Sequence, residues 1–183
     1  VTVVSGGALG IDAQAHKGAL AGGGSTVAVL AGGVDRVYPR VHAGLFSEIA
    51  LNGCLVSQFA VGAMPEAYRF LVRNRLIAAL SSVILVIEAP ERSGALSTAS
   101  AANELGRTVY VAPANIDNEN FRGSHALIRD GATLVDLPGY GYAQAPLEMQ
   151  QSWAELINRY LEERQALSLS LIILDARRGW MEK

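Results

Sequence analysis

Arg92, Ser93, Gly94 and Thr98 are the residues whose types and spacing bear most directly on chemistry. They lie in Glu88-Ala-Pro-Glu-Arg-Ser-Gly-Ala-Leu-Ser-Thr98, which follows the unbroken apolar run Val83–Ile87. A buried strand, a polar turn and a helix start leave backbone N–H groups without intrahelical acceptors, and the helix dipole adds partial positive charge there. A phosphate is the natural occupant of such a turn. Ser93 and Thr98 offer hydroxyl donors, Gly94 lets a ligand approach the backbone, and Arg92 adds a guanidinium. The same residues also fit a capped loop carrying a surface arginine. Arg73 and Arg75 sit in a predicted helix shortly before this strand. Cations near a helix N-terminus oppose its dipole, so they suggest an anionic partner; solvation, or pairing with Glu66 or Glu88, is the structural alternative.

The elements that must position these residues alternate along the chain. Strands are predicted over 1–4, 26–30, 54–57, 83–87, 108–112 and 133–135. Helices are predicted over 11–20, 42–51, 69–80, 99–105 and 123–128, with a glycine turn at Gly6, Gly7 and Gly10 after the first strand. From Asp136 the texture changes: an aromatic turn at Pro138–Tyr142 precedes an amphipathic helix over 147–164 and an apolar strand over 169–174. Alternating strands and helices imply an α/β, three-layer Rossmann-like sandwich with a mostly parallel sheet of about seven strands and a ligand mouth at their carboxyl ends. A length of 183 residues suits a single domain, 1–183.

Several functions are disfavoured. Gly6, Gly7 and Gly10 are spaced wrongly for the dinucleotide fingerprint G-x-G-x-x-G. Cys54 stands alone, and His16, His42 and His125 lack ligand spacing, so neither a disulfide framework, a metal nor another cofactor is expected. No serine occupies a G-x-S-x-G elbow. The formal net charge of −2 means that a nucleic-acid site must be a local patch. No apolar run reaches the roughly 20 residues of a membrane-spanning helix.

Two family resemblances divide the chain. Residues 1 to about 132 resemble the Rossmann-type domain of DNA-processing protein A (DprA, also called Smf). The matching words are Val4-Ser-Gly-Gly-Ala-Leu-Gly-Ile-Asp12 with Ala15-His16, Tyr38-Pro39, Phe70-Leu-Val-Arg-Asn-Arg-Leu-Ile-Ala-Ala-Leu-Ser81, Val86–Ala99 and Gly123–Ala132. The resemblance implies a cytoplasmic protein that binds single-stranded DNA, passes it to a RecA-type recombinase during transformation, works as a homodimer and is not an enzyme. It assigns Arg73 and Arg75 to a basic rim, and Arg92, Ser93 and Gly94 to a phosphate pocket with Leu96 where a base rests. Leu9 stands where the family usually has a basic residue, His125 where it tends to have Asn, and the family's domain starts one strand and one helix before Val1.

Residues 133–183 resemble instead a fragment of the EngB/YihA/YsxC ribosome-assembly GTPases, through Leu134-Val-Asp-Leu-Pro-Gly-Tyr-Gly-Tyr-Ala143, the helix with Trp153, and Leu171-Ile-Ile-Leu-Asp-Ala-Arg-Arg-Gly179. Asp136 and Gly139 match the magnesium-sensing D-x-x-G word, yet the chain contains no G-x-x-x-x-G-K-[ST] phosphate loop, so GTP hydrolysis is not expected. The expectation is a recombined or engineered chimera in which the strand over 169–174 completes the DprA-like sheet, at its centre or beside 133–135, with DNA binding weakened. A fold-engineering scaffold that keeps only an anion pocket is the alternative. A nucleotide-processing enzyme with Glu88 or Glu91 as general base ranks last.

Overall fold

The computed structural model describes residues 1–135 and the backbone of 170–173. Asp136, Gly139 and the helix expected over 147–164 lie outside the described residues. Six strands and five helices alternate through the first part: β1 (Thr2–Ser5), α1 (Ile11–Ala21), β2 (Ser25–Val29), α2 (Ala43–Asn52), β3 (Cys54–Val56), α3 (Ala67–Leu80), β4 (Val83–Val86), α4 (Gly94–Glu104), β5 (Thr108–Val111), α5 (Arg122–Arg129) and β6 (Thr133–Leu134). β7 is Ser170–Ile173.

Every strand pairing is parallel, as βα alternation requires. Side chains alternate between the two sheet faces. Val4, Val29, Ile84, Val86, Val109 and Val111 point to one face and bury Ile77 and Ala78 of α3 with Ala95, Ala99, Ala101 and Ala102 of α4. The alanines of α4 leave little side chain between its backbone and the layer beneath, so α3, α4 and the sheet pack closely. On the other face Ala13 of α1 meets Leu45, Phe46 and Ile49 of α2 over Ala28 and Leu30. Truncating Ile84, which is wholly buried, to alanine is worth about 2–5 kcal/mol on this logic.

Within residues 1–135 alone the sheet is not continuous. Residues 1–135 form two three-stranded arms, β3-β2-β1 and β4-β5-β6, and β1 does not pair with β4. The order reaches β3-β2-β1-β7-β4-β5-β6 only through the four residues of β7. These align with Val83–Val86 along all of β4 but meet β1 only at Val3↔Ser170. The physical reason lies in the chain order: β1 is followed by β2 and β3 on one side, β4 by β5 and β6 on the other, and nothing within 1–135 supplies a strand for the slot between.

Candidate nucleic-acid interface

The carboxyl ends of β1 and β4 flank that slot, the usual position for a ligand in an open parallel sheet. Three loops build the mouth.

The first follows β1. Gly7 and Gly10 have φ of 69° and 84°, in the left-handed region that favours glycine. The Gly6 and Ala8 N–H groups each donate to Asp12 Oδ2 at 3.1 Å. Gly7 packs so closely on Phe46 that a Cβ there would lie 2.5 Å from the ring. His42 Nδ1 donates to the Gly7 carbonyl at 3.0 Å. These contacts tie the loop to α1 and α2, and Leu9 stands exposed on it.

The second loop joins β4 to α4. Ser93 is the N-cap of α4: its backbone is extended, with φ −80° and ψ 143°, and its Oγ accepts from Ala95 N–H at 3.0 Å. Ser93 N–H donates to Pro90 O at 3.0 Å, and Leu96 N–H to Ser93 O at 3.2 Å. No acceptor among the described residues takes the Gly94 N–H. Arg92 is exposed one residue before the cap, and no carboxylate among the described residues pairs with it.

The third loop follows β5 and runs into α5. Ala89 N–H donates to Ser124 Oγ at 3.0 Å while Ser124 N–H donates to Ala89 O at 3.1 Å. A Cβ at Gly123 would lie 2.6 Å from Pro90 O. This reciprocal pair pins the start of α5 to the β4–α4 turn.

Four expectations for site residues change. Arg73 is not on a basic rim: it is 5 % exposed, and its Nη1 donates to Gly6 O at 2.7 Å and to Val29 O at 2.6 Å. Burial lowers its pKa and the Asp12 carboxylate works the other way; a guanidinium remains charged regardless. Arg75 is exposed, but it pairs with Glu104 Oε2 at 2.7 Å, at the far end of α4. Ten residues of helix separate Glu104 from Gly94, about 15 Å, so Arg75 points away from the mouth. Thr98 is 1 % exposed inside α4, because the helix begins at Gly94 rather than at Ala99. Leu96 is half-buried, packed on the core with its Cδ1 against Gly123 rather than open to a stacked base. Arg92, Ser93 and Gly94 remain together at the mouth, facing the Gly6–Gly10 loop across the slot.

Sequence reasoning missed Asn74. Its Nδ2 donates to Gly94 O at 3.1 Å and to Ser97 Oγ at 2.7 Å, and its Oδ1 accepts from Arg73 Nε at 3.1 Å. An amide between two arginines on a helix was the available signal, since such a residue often bonds a neighbouring backbone. His16 was legible only as a helix residue. It is wholly buried, with Nδ1 2.6 Å from Thr26 Oγ1, whose single proton goes to Val3 O at 2.9 Å. Nδ1 must then be the donor. Burial, with His42 and Arg73 adding like charge, lowers its pKa to about 4. His125 bonds Ala114 O through Nε2 at 3.2 Å. Among the described residues no group of His, Cys, Asp and Glu could hold a metal, and no helix is long and apolar enough to cross a membrane.

Comparison with known proteins bears on the family and the fold. The family model for DNA recombination-mediator protein A matches residues 1–139. The chain is similar to a DNA processing protein DprA of Mycobacterium tuberculosis, 49% identical over 135 residues, 74% of this chain and 35% of that protein. It is 47% identical to the protein Smf of Escherichia coli over 139 residues, 75% of this chain and 37% of the relative. It thus spans about a third of the length of these relatives. Its fold is similar to the crystal structure of DprA from Streptococcus pneumoniae, with TM-score 0.67 and 37% identity over 78% of this chain and 52% of that one. A DNA processing protein A from Helicobacter pylori, which binds single-stranded DNA, matches with TM-score 0.67 and 30% identity over 86% of this chain and 66% of that one. A further 50 residues' match, 27% of this chain and 26% of the relative, is 60% identical to the GTP-binding protein EngB of Solibacter usitatus. On the match across residues 1–139, the chain belongs to the DNA recombination-mediator protein A family.

Proposed function

We propose that this chain binds single-stranded DNA, with a backbone phosphate held between the Arg92 guanidinium and the Gly94 N–H at the start of α4. The observation that carries the reading is the state of these two donors: both lie at the mouth, and among the described residues neither is spent on a protein acceptor. Gly6, Gly7 and Gly10 form the opposite wall of the groove. Binding is non-catalytic, and the geometry suggests phosphate recognition in preference to base readout, because Leu96 and Thr98 are packed inward. The affinity is weak, since Leu9 puts an apolar side chain where a cation would help and Arg73 and Arg75 are committed elsewhere. Family membership supports a cytoplasmic setting, a RecA-type recombinase as partner and a homodimer as the working form. The EngB-like match supports a chimeric origin, with residues 133–183 completing the domain begun by 1–132 and β7 filling the slot between β1 and β4.

Fluorescence anisotropy with labelled oligo-dT at two salt concentrations tests the reading. Affinity that falls steeply with salt and drops on Arg92→Ala supports it. A flat response to micromolar protein, unchanged by that substitution, leaves only a folded scaffold.

A further inference from the structure

We propose that Arg73 and Asn74 are positioning residues: together they lock the Gly6–Gly10 loop and the start of α4 into one frame, and Arg73 itself touches no phosphate. The binding part of this inference rests on the DNA reading above.

A single continuous chain of bonds crosses the mouth. Gly6 O accepts from Arg73 Nη1 at 2.7 Å, Arg73 Nε donates to Asn74 Oδ1 at 3.1 Å, and Asn74 Nδ2 donates to Gly94 O at 3.1 Å. Ser97 Oγ closes the far end, accepting from Asn74 at 2.7 Å and donating to Gly94 O at 2.8 Å. Both walls of the mouth therefore hang from two consecutive residues of α3. Val29 O, at the end of β2, is tied to the same Arg73 Nη1 at 2.6 Å. Arg73 is 5 % exposed and Asn74 6 %, so neither has a surface to offer a strand. Phe70 covers the guanidinium from the side, its ring centre 5.6 Å from Cζ. β1 and β4 share no ladder of their own, which leaves the two walls to be held by other means; this strut is one that residues 1–135 provide. A lysine could not replace the arginine, because a single ammonium lacks the planar fork that reaches carbonyls and an amide oxygen in different directions.

The test pairs Asn74→Ala and Arg73→Lys with wild type in oligo-dT anisotropy across a salt series, alongside amide nitrogen–proton spectra of the free protein. Positioning predicts that Asn74→Ala lowers affinity about three- to tenfold, the scale of one net hydrogen bond, while the slope of log affinity against log salt stays at the wild-type value. Arg73→Lys likewise weakens binding without a change of slope. Wild-type affinity in Arg73→Lys overturns the proposal, because an ammonium can replace the guanidinium at a phosphate but not at two carbonyls and an amide oxygen. So does unchanged affinity in Asn74→Ala. Should Arg73→Lys not fold, Asn74→Ala carries the test. The spectra decide even if wild type binds no oligonucleotide, which would refute the DNA reading alone. Asn74→Ala must then shift the amides of Gly94–Ser97 and also those of Gly6–Ala8; shifts confined to Gly94–Ser97 refute the strut.

Discussion

Asp12 and Arg73 hold Gly6 from opposite sides: the Asp12 carboxylate accepts its N–H at 3.1 Å, and the Arg73 guanidinium donates to its carbonyl at 2.7 Å. Both charged side chains are buried, and each stabilises the other across a single glycine. A side chain at residue 6 would enter the guanidinium itself. Gly6→Ala is therefore expected to displace Arg73 from two carbonyls and to destabilise the fold by about 2–3 kcal/mol. The midpoint of urea unfolding measures this; a loss within experimental error would show that Arg73 swings aside freely.

Acid should weaken the fold through His16. Its ring is neutral in the folded state, with a pKa near 4 against 6.5 for the free side chain. A base whose folded pKa is depressed contributes stability that is fully present above 6.5 and is lost as pH falls toward 4, because the unfolded chain takes up the proton first. The loss is on the order of 3 kcal/mol across that window. Urea midpoints at pH 7 and pH 4.5 should differ accordingly. His16→Gln, which cannot titrate, should flatten the difference, whatever its own effect at neutral pH.

Ser93→Ala removes the acceptor of Ala95 N–H and should cost about 1 kcal/mol. Because the cap also sets the path of Arg92 and Gly94, oligonucleotide affinity should fall with it. Ser93→Asp restores an acceptor, so it should recover the stability while its charge further depresses DNA affinity; recovery of both together would speak against phosphate at this turn.

Arg75→Ala should do little. Arg75 and Glu104 are both more than half exposed in their side chains, and such pairs contribute about 0–1 kcal/mol. DNA affinity and its salt slope should stay at wild-type values. A slope reduced by about one would place Arg75 on the strand after all.

The layout of strands and helices was legible because the period of apolar residues carries it. Val83–Ile87, read as a buried parallel strand, contains β4 at Val83–Val86, and the helix expected over 69–80 is α3 at Ala67–Leu80. The site was legible only where local chemistry decides it. Ser93 as a polar cap before Gly-Ala-Leu could have placed the start of α4, yet the small, polar run through Thr98 read as turn, which moved the helix start five residues late. Arg73 could not be read from its neighbours, because the acceptors that bury it, Gly6 and Val29, lie 67 and 44 residues away in the chain. Arg73 and Arg75, two residues apart, look alike in sequence. A rotation of about 200° around α3 sends one into the core and leaves the other at the surface.

The central claim is that Arg92, beside the open N–H of Gly94, holds a phosphate of single-stranded DNA. The most direct measurement is the salt dependence of oligo-dT affinity for wild type and Arg92→Ala, with folding of both verified by circular dichroism. The account predicts that wild-type affinity falls as salt rises and that Arg92→Ala lowers both the affinity and the slope, the latter by about one phosphate contact. Equal affinity and equal slope in the two proteins would contradict it.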